Sequence, residues 1–172
     1  MKHLIFSFKL MILVCALTWI SGCQYDPYSG DYTRSKPLQS EVAGTYVLYT
    51  QTLNSTPVDK LVASNGSKPT QHKLILRSDG TFSMINMPVW ADDWSISKFS
   101  SGYGKWKIQI VGEVDEGNYT DKFWGIEFIS KNIWIATPAL MGETPPYDII
   151  WGYGDPDGGN VMIYEKQNSN SK

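Results

Sequence analysis

Few residues of this 172-residue chain have types and spacings that could support chemistry: two histidines, two cysteines, one adjacent pair of aspartates and one acidic turn. A nucleophilic triad needs a histidine. Apart from His3 at the extreme start, the chain offers His72, beside a strand-like pattern, where a surface or hairpin-adjacent imidazole is the simpler reading. Asp92 and Asp93 could be taken for a carboxylate pair. Adjacent side chains in an extended segment point opposite ways, so the two are poorly placed to act on one substrate and read as solvated charges. The run DPDGGN, residues 155–160, invites a calcium loop. Such a loop wants glycine sixth and glutamate twelfth, and counting from Asp155 those places hold Asn160 and Lys166. Asp155, Pro156 and Gly158 instead suit the first, second and fourth positions of a type I turn. The expectation is no catalytic residue, no metal and no cofactor, hence a protein that is not an enzyme.

Cys23 stands where the apolar run LMILVCALTWI gives way to a polar, tyrosine-rich stretch. Lys2, His3 and Lys9 precede that run, and Ser21 and Gly22 follow it. A basic start, a short apolar core and small residues are the layout of a secretory signal. The core is shorter than the roughly 20 residues a membrane-spanning helix needs. Ile20-Ser21-Gly22-Cys23 resembles the lipobox of bacterial lipoproteins. That resemblance implies a diacylglyceryl group on the Cys23 sulfur, cleavage before Cys23, and acylation, commonly with palmitate, of the new amine. Two or three chains, each buried methylene contributing about 0.8 kcal/mol, would hold a small domain firmly at a membrane. Gln24, where an aspartate would signal inner-membrane retention in that family, favours the outer membrane, on its periplasmic face.

On this reading residues 1–22 are a signal peptide and 23–40 a lipidated start and flexible tether, rich in Pro, Gly and Ser. Residues 41–167 form the domain and 168–172 a frayed tail. Cleavage would leave 150 residues, enough for one core, with 13 basic against 17 acidic side chains. That mildly acidic balance argues against nucleic acid as a partner. With lipid on Cys23 and Cys15 discarded, no disulfide, zinc–thiolate site or catalytic thiol is available.

The elements that must position any site read as strands. The composition is rich in Val, Ile, Thr and aromatics, is cut by Gly, Pro, Asn and Asp, and contains no convincing long helix. Strand patterns fall at 43–52, 104–110, 122–130, 132–137, 147–154 and 160–166, with a hairpin at 72–86 and a further candidate near 58–63. In the hairpin, a two-residue loop would oppose Leu76 to Ser83. A three-residue loop, Ser78-Asp79-Gly80, opposes Leu76 to Phe82 and Leu74 to Met84, which gives one apolar face and a left-handed position for Gly80. Seven or eight sequential antiparallel strands close most economically into an all-β meander barrel, which removes the sheet edges. The AGTY opening, the LxLxxDGTF hairpin and the GxW strand, between residues 43 and 110, resemble the small lipocalin-like barrels of bacterial envelopes. WGYGDPDGGNVMIYEK is similar to a hairpin of small uncharacterised bacterial proteins. These likenesses imply a fold and little about activity.

Within the segment 87–104, Pro88 is expected to end a strand, leaving about sixteen residues before the next one, a length that is uncommon without a purpose. It holds Trp90, Trp94, Phe99 and Tyr103, the candidate contacts for a ligand or partner. It reads either as a lid over one barrel mouth or, preferred, as a flap closing the core. Two functions are weighed: a lipid-anchored, non-catalytic binding module for a small apolar ligand or an envelope protein, and an inhibitor or immunity-type lipoprotein that blocks a hydrolase or toxin.

Overall fold

The computed structural model describes residues 26–53, 56–57, 62–67, 70–91, 95–115, 120–133, 135–153 and 159–167. Residues 1–22, expected as a signal peptide, Cys23, residues 155–158, expected as a turn, and residues 168–172, expected as a frayed tail, lie outside these residues. So do Asp92, Asp93 and Trp94, and most of the candidate strand near 58–63.

The chain folds into a closed antiparallel barrel of eight strands. In order they are β1 (Gly44–Leu53), then, after a two-residue strand β2 (Thr56–Pro57) that pairs only with the tip of β1, β3 (Lys73–Leu76), β4 (Thr81–Trp90), β5 (Ile96–Asp115), β6 (Thr120–Ile129), β7 (Ala139–Met141), β8 (Asp148–Gly152) and β9 (Val161–Lys166). Each barrel strand pairs with the next, and β9 pairs back onto β1. The β3–β4 hairpin has the expected register, Leu76 opposite Phe82 and Leu74 opposite Met84. Gly80 has φ +79 and its N–H donates to Arg77 O at 3.0 Å. Asp79 fastens the turn by accepting from the Thr81 N–H and hydroxyl, which holds its carboxyl below the usual range.

Leu74, Leu76, Phe82, Met84, Trp106, Ile126, Ile149 and Tyr164 fill the interior, all nearly inaccessible to solvent. Two bulges change which residues join them. Between Leu48 and Thr50 of β1 the register shifts, so Tyr49 is 70% exposed and Gln51, two places on, is buried opposite Met162. Between Met84 and Met87 of β4 a second shift, with Asn86 at φ 53, turns both methionines into the core.

Three expectations are corrected. Pro88 does not end a strand: it pairs with Phe99, and β4 and β5 run through most of the supposed 87–104 connection. Past Ile85 no ladder partner of β4 on its β3 side lies among the described residues, so the missing proline N–H is tolerated there as on an edge. Of residues 132–137, expected as a strand, those described (132, 133 and 135–137) are not one; the strand after β6 is β7, which follows Pro138. Ile126 N–H donates to Pro138 O at 3.1 Å and the indole of Trp151 to Ala136 O at 3.0 Å, so this segment is pinned by isolated bonds rather than a ladder.

Residues 26–40, expected as a flexible tether, are docked on the barrel. A 3-10 turn, Ser29–Asp31, leads to Tyr32 and Thr33, which lie between β6 and β7, strands in register only at Gly125–Ala139. Thr33 N–H donates to Leu140 O, Trp124 N–H to Thr33 O and Gly142 N–H to Asp31 O, each at 2.9 Å. The fully buried Thr33 hydroxyl donates to Gly142 O at 2.7 Å. Tyr32 stacks on Phe123 with centroids 4.5 Å apart, and with Tyr28 it covers an outer-wall cluster of Ala139, Ile150 and Val161. The strap is ordered by this burial: the outward faces of β6 to β9 are apolar and need a cover. A one-turn helix, α1 (Gln39–Val42), then seats Val42 in the core beside Tyr46 at the Gly44 end of β1. Tyr46 donates its phenol to Val42 O at 2.6 Å.

Candidate functional site

Toward the opposite end of the barrel the interior opens into a cavity of about 370 Å³. The β4 strand supplies Met84 and the run Met87 to Ala91. Ile133, Ile135 and Ala136 come from the segment after β6, which can approach because Gly102 has no side chain: a Cβ there would lie 2.4 Å from an Ile133 methyl. Trp151, Gly152 and Tyr153 enter from the end of β8, and Met162 from β9. No charged side chain is among these lining residues.

Trp90 and Tyr153 stack face to face across the cavity wall, with centroids 3.9 Å apart and planes 9° from parallel. A buried polar belt holds Tyr153 in place. Its hydroxyl donates to Thr52 O and accepts from Gln51 Nε2 at 3.0 Å; the Thr52 hydroxyl donates to Gly159 O at 2.6 Å and accepts from Val161 N–H at 3.0 Å. The β1 bulge at Tyr49 is what brings Gln51 inward to make this belt. Burial pushes the Tyr153 phenol up to about 12, against a smaller opposite effect of the Gln51 bond.

The polar side-chain groups of the lining are few. The Trp151 indole is committed to Ala136 O, and the Tyr153 hydroxyl to the belt. The Trp90 indole nitrogen is buried and has no partner among the described residues. Three other buried atoms lack a hydrogen-bond partner among the described residues, Gln51 Oε1, the Tyr164 hydroxyl and Arg34 Nη1, the last ion-paired with Asp121, but none of these residues lines the cavity. Among the described residues no three His, Cys, Asp or Glu side chains gather where a metal could sit.

Of the four residues singled out from sequence, the three described, Trp90, Phe99 and Tyr103, lie in different surroundings. Trp90 lines the cavity, whereas Phe99 lies against the His72 ring at 5.2 Å and joins a small cluster with Ala63 and Ile96. Tyr103 is 70% exposed, and Trp94 lies outside the described residues. Trp90 ends β4 whereas Phe99 and Tyr103 stand on β5, so strands replace most of the expected loop and separate these three. His72 Nδ1 lies 2.7 Å from Asn86 O; a carbonyl only accepts, so that nitrogen carries the proton and pins the β4 bulge. Met84, Trp151, Tyr153 and Met162 were missed as site residues. Their signal was present: Trp151 and Tyr153 share the inward parity of Ile149, and the inward residues near one rim of a closed barrel line its mouth.

No protein-family model, no curated protein and no solved structure matches this chain.

Proposed function

We propose that this protein is a lipid-anchored, non-catalytic binding protein of the bacterial envelope whose barrel holds a small apolar molecule in the cavity beside Trp90. The observation that carries this reading is the cavity itself: apolar walls with no charged lining residue among the described ones, and a volume inside the range of about 300–1,000 Å³ typical of small-molecule sites. Met84, Met87 and Met162 give it soft, adaptable walls. Binding is tested with a hydrophobic naphthylamine dye. Stoichiometric fluorescence enhancement is expected for the native protein and is expected to vanish in Ala136→Phe, which fills the cavity. A dye that stays dark with excess native protein rules the reading out.

Anchoring rests on the lipobox-like Ile20–Cys23 stretch and on its distance from the apolar core of the signal. Among the described residues no helix is long and apolar enough to cross a membrane. The purified envelope form should begin at Cys23 with a mass increment of two or three acyl chains, and Cys23→Ser should move the protein out of the membrane fraction. A mass spectrum of a chain retaining Met1, or of one with a free Cys23 thiol, removes this part of the proposal. With Gln24 next to the anchor, the periplasmic face of the outer membrane is the favoured address.

A further inference from the structure

Given the binding reading above, on which this step rests, we infer that the cavity selects an uncharged, largely apolar molecule carrying a hydrogen-bond acceptor, and that the Trp90 indole N–H is the group that reads it. Three polar side-chain groups belong to the lining residues. Trp151 Nε1 already donates to Ala136 O at 3.0 Å. The Tyr153 hydroxyl donates to Thr52 O and accepts from Gln51. Only Trp90 Nε1 remains without a partner among the described residues, out of contact with solvent. A donor in that state carries the full cost of its lost hydration, and an occupant bringing a carbonyl or ether oxygen to it removes that cost. A hydrocarbon of the same shape cannot. An ionised ligand is disfavoured from the other side, since no lining residue among the described ones offers it a counter-charge and desolvating it is expensive. The flat stack of Trp90 on Tyr153 adds a planar wall suited to conjugated or aromatic molecules.

The test uses three ligands of one shape, acetylnaphthalene, ethylnaphthalene and naphthoate, titrated calorimetrically into the full barrel and into Trp90→Phe. In the native protein acetylnaphthalene should bind about ten-fold tighter than ethylnaphthalene, with naphthoate weakest. Phenylalanine keeps an aromatic face and removes the N–H, so Trp90→Phe should weaken acetylnaphthalene about ten-fold and ethylnaphthalene less than about two-fold. The ratio between ligands is the readout, because loss of stacking or volume acts on both alike. If Trp90→Phe does not fold, the native ranking alone decides. Equal binding of ketone and hydrocarbon, or preference for the carboxylate, overturns the selectivity while leaving the binding function standing. Failure of all three to bind the native protein overturns both.

Discussion

Gly125→Val is expected to unfold the barrel or leave it barely folded, at a cost of roughly 4 kcal/mol or more, in the range reserved for severe disruptions. A Cβ on Gly125 would sit 2.1 Å from Pro138 O and 2.6 and 2.7 Å from the two Val111 methyls. A valine methyl can rotate away from another side chain, but the Pro138 carbonyl belongs to the backbone. That carbonyl also accepts from Ile126 N–H at 3.1 Å, and Gly125 is the sole residue of β6 in register with β7. Moving either chain opens the narrowest seam of the barrel. The neighbouring Trp124 N–H, bonded to Thr33 O, would lose its alignment too. Strand propensity predicts the opposite sign, since valine is favoured over glycine in strands. Gly152→Ala is the control: a Cβ there meets nothing within 4 Å, and the change should stay within about 1 kcal/mol. Urea unfolding followed by far-ultraviolet dichroism measures both. A Gly125→Val protein as stable as native would mean that β6 and β7 do not approach as described.

The seam explains why the barrel needs its N-terminal strap. Past Gly125 the two strands diverge, and Asp31 to Thr33 supply the backbone partners that β6 and β7 no longer give each other. Arg34 adds an ion pair to Asp121 at 3.3 Å, and Lys36 lies 5.4 Å over the Trp124 ring. Both contacts are partly solvated and contribute little singly, so the strap holds mainly by backbone pairing and by the burial of Tyr28 and Tyr32. Asp26, three residues from Cys23, already belongs to this structure: it accepts from Tyr28 N–H at 2.9 Å and from the Tyr32 hydroxyl at 2.6 Å.

Elements whose order depends on near neighbours were legible in the sequence, and those that depend on distant ones were not. The β3–β4 register followed from two competing loop lengths and one apolar face. Bulges left no comparable mark. Nothing local announces that Tyr49 is the extra residue of β1, yet that residue decides whether Gln51 faces water or reaches Tyr153. Pro88 misled because its cost depends on whether a partner strand is present on its open side, which is set by the length of β3. Residues 26–40 misled for a related reason. Their polar, proline-bearing composition describes the chain alone, whereas the apolar outer face that binds them, Phe123, Ile150 and Val161, comes from three other strands. The aromatic surplus was visible from composition, and only the closed barrel divides it between the cavity, the outer cluster and the surface.

Raising the pH should unfold this protein abruptly, by several kcal/mol, and the phenols inside the barrel provide the reason. Burial raises Tyr46, Tyr153 and Tyr164, and it raises Tyr32 with help from the Asp26 carboxylate; Tyr153 rises to about 12. An unfolded tyrosine ionises near 10. The folded state therefore keeps protons that the unfolded state has released. The stabilisation is fully present below about pH 10 and drains away as the pH climbs through about 12. The melting temperature should be flat from about pH 7 to 9 and fall by about 10 °C or more once pH 10 is passed. Phenolate absorbance from these four residues should rise together with the loss of β-sheet dichroism, not ahead of it. Alkaline unfolding is common to many proteins, so the decisive comparison is between two variants. Tyr46→Phe removes a hydroxyl that donates to Val42 O, and it should cost about 1 kcal/mol at neutral pH. Tyr164→Phe removes a buried hydroxyl with no partner among the described residues, so it should be neutral or stabilising at pH 7 and should move the alkaline midpoint upward. If Tyr164→Phe instead destabilises at neutral pH as Tyr46→Phe does, the Tyr164 hydroxyl has a partner inside the barrel.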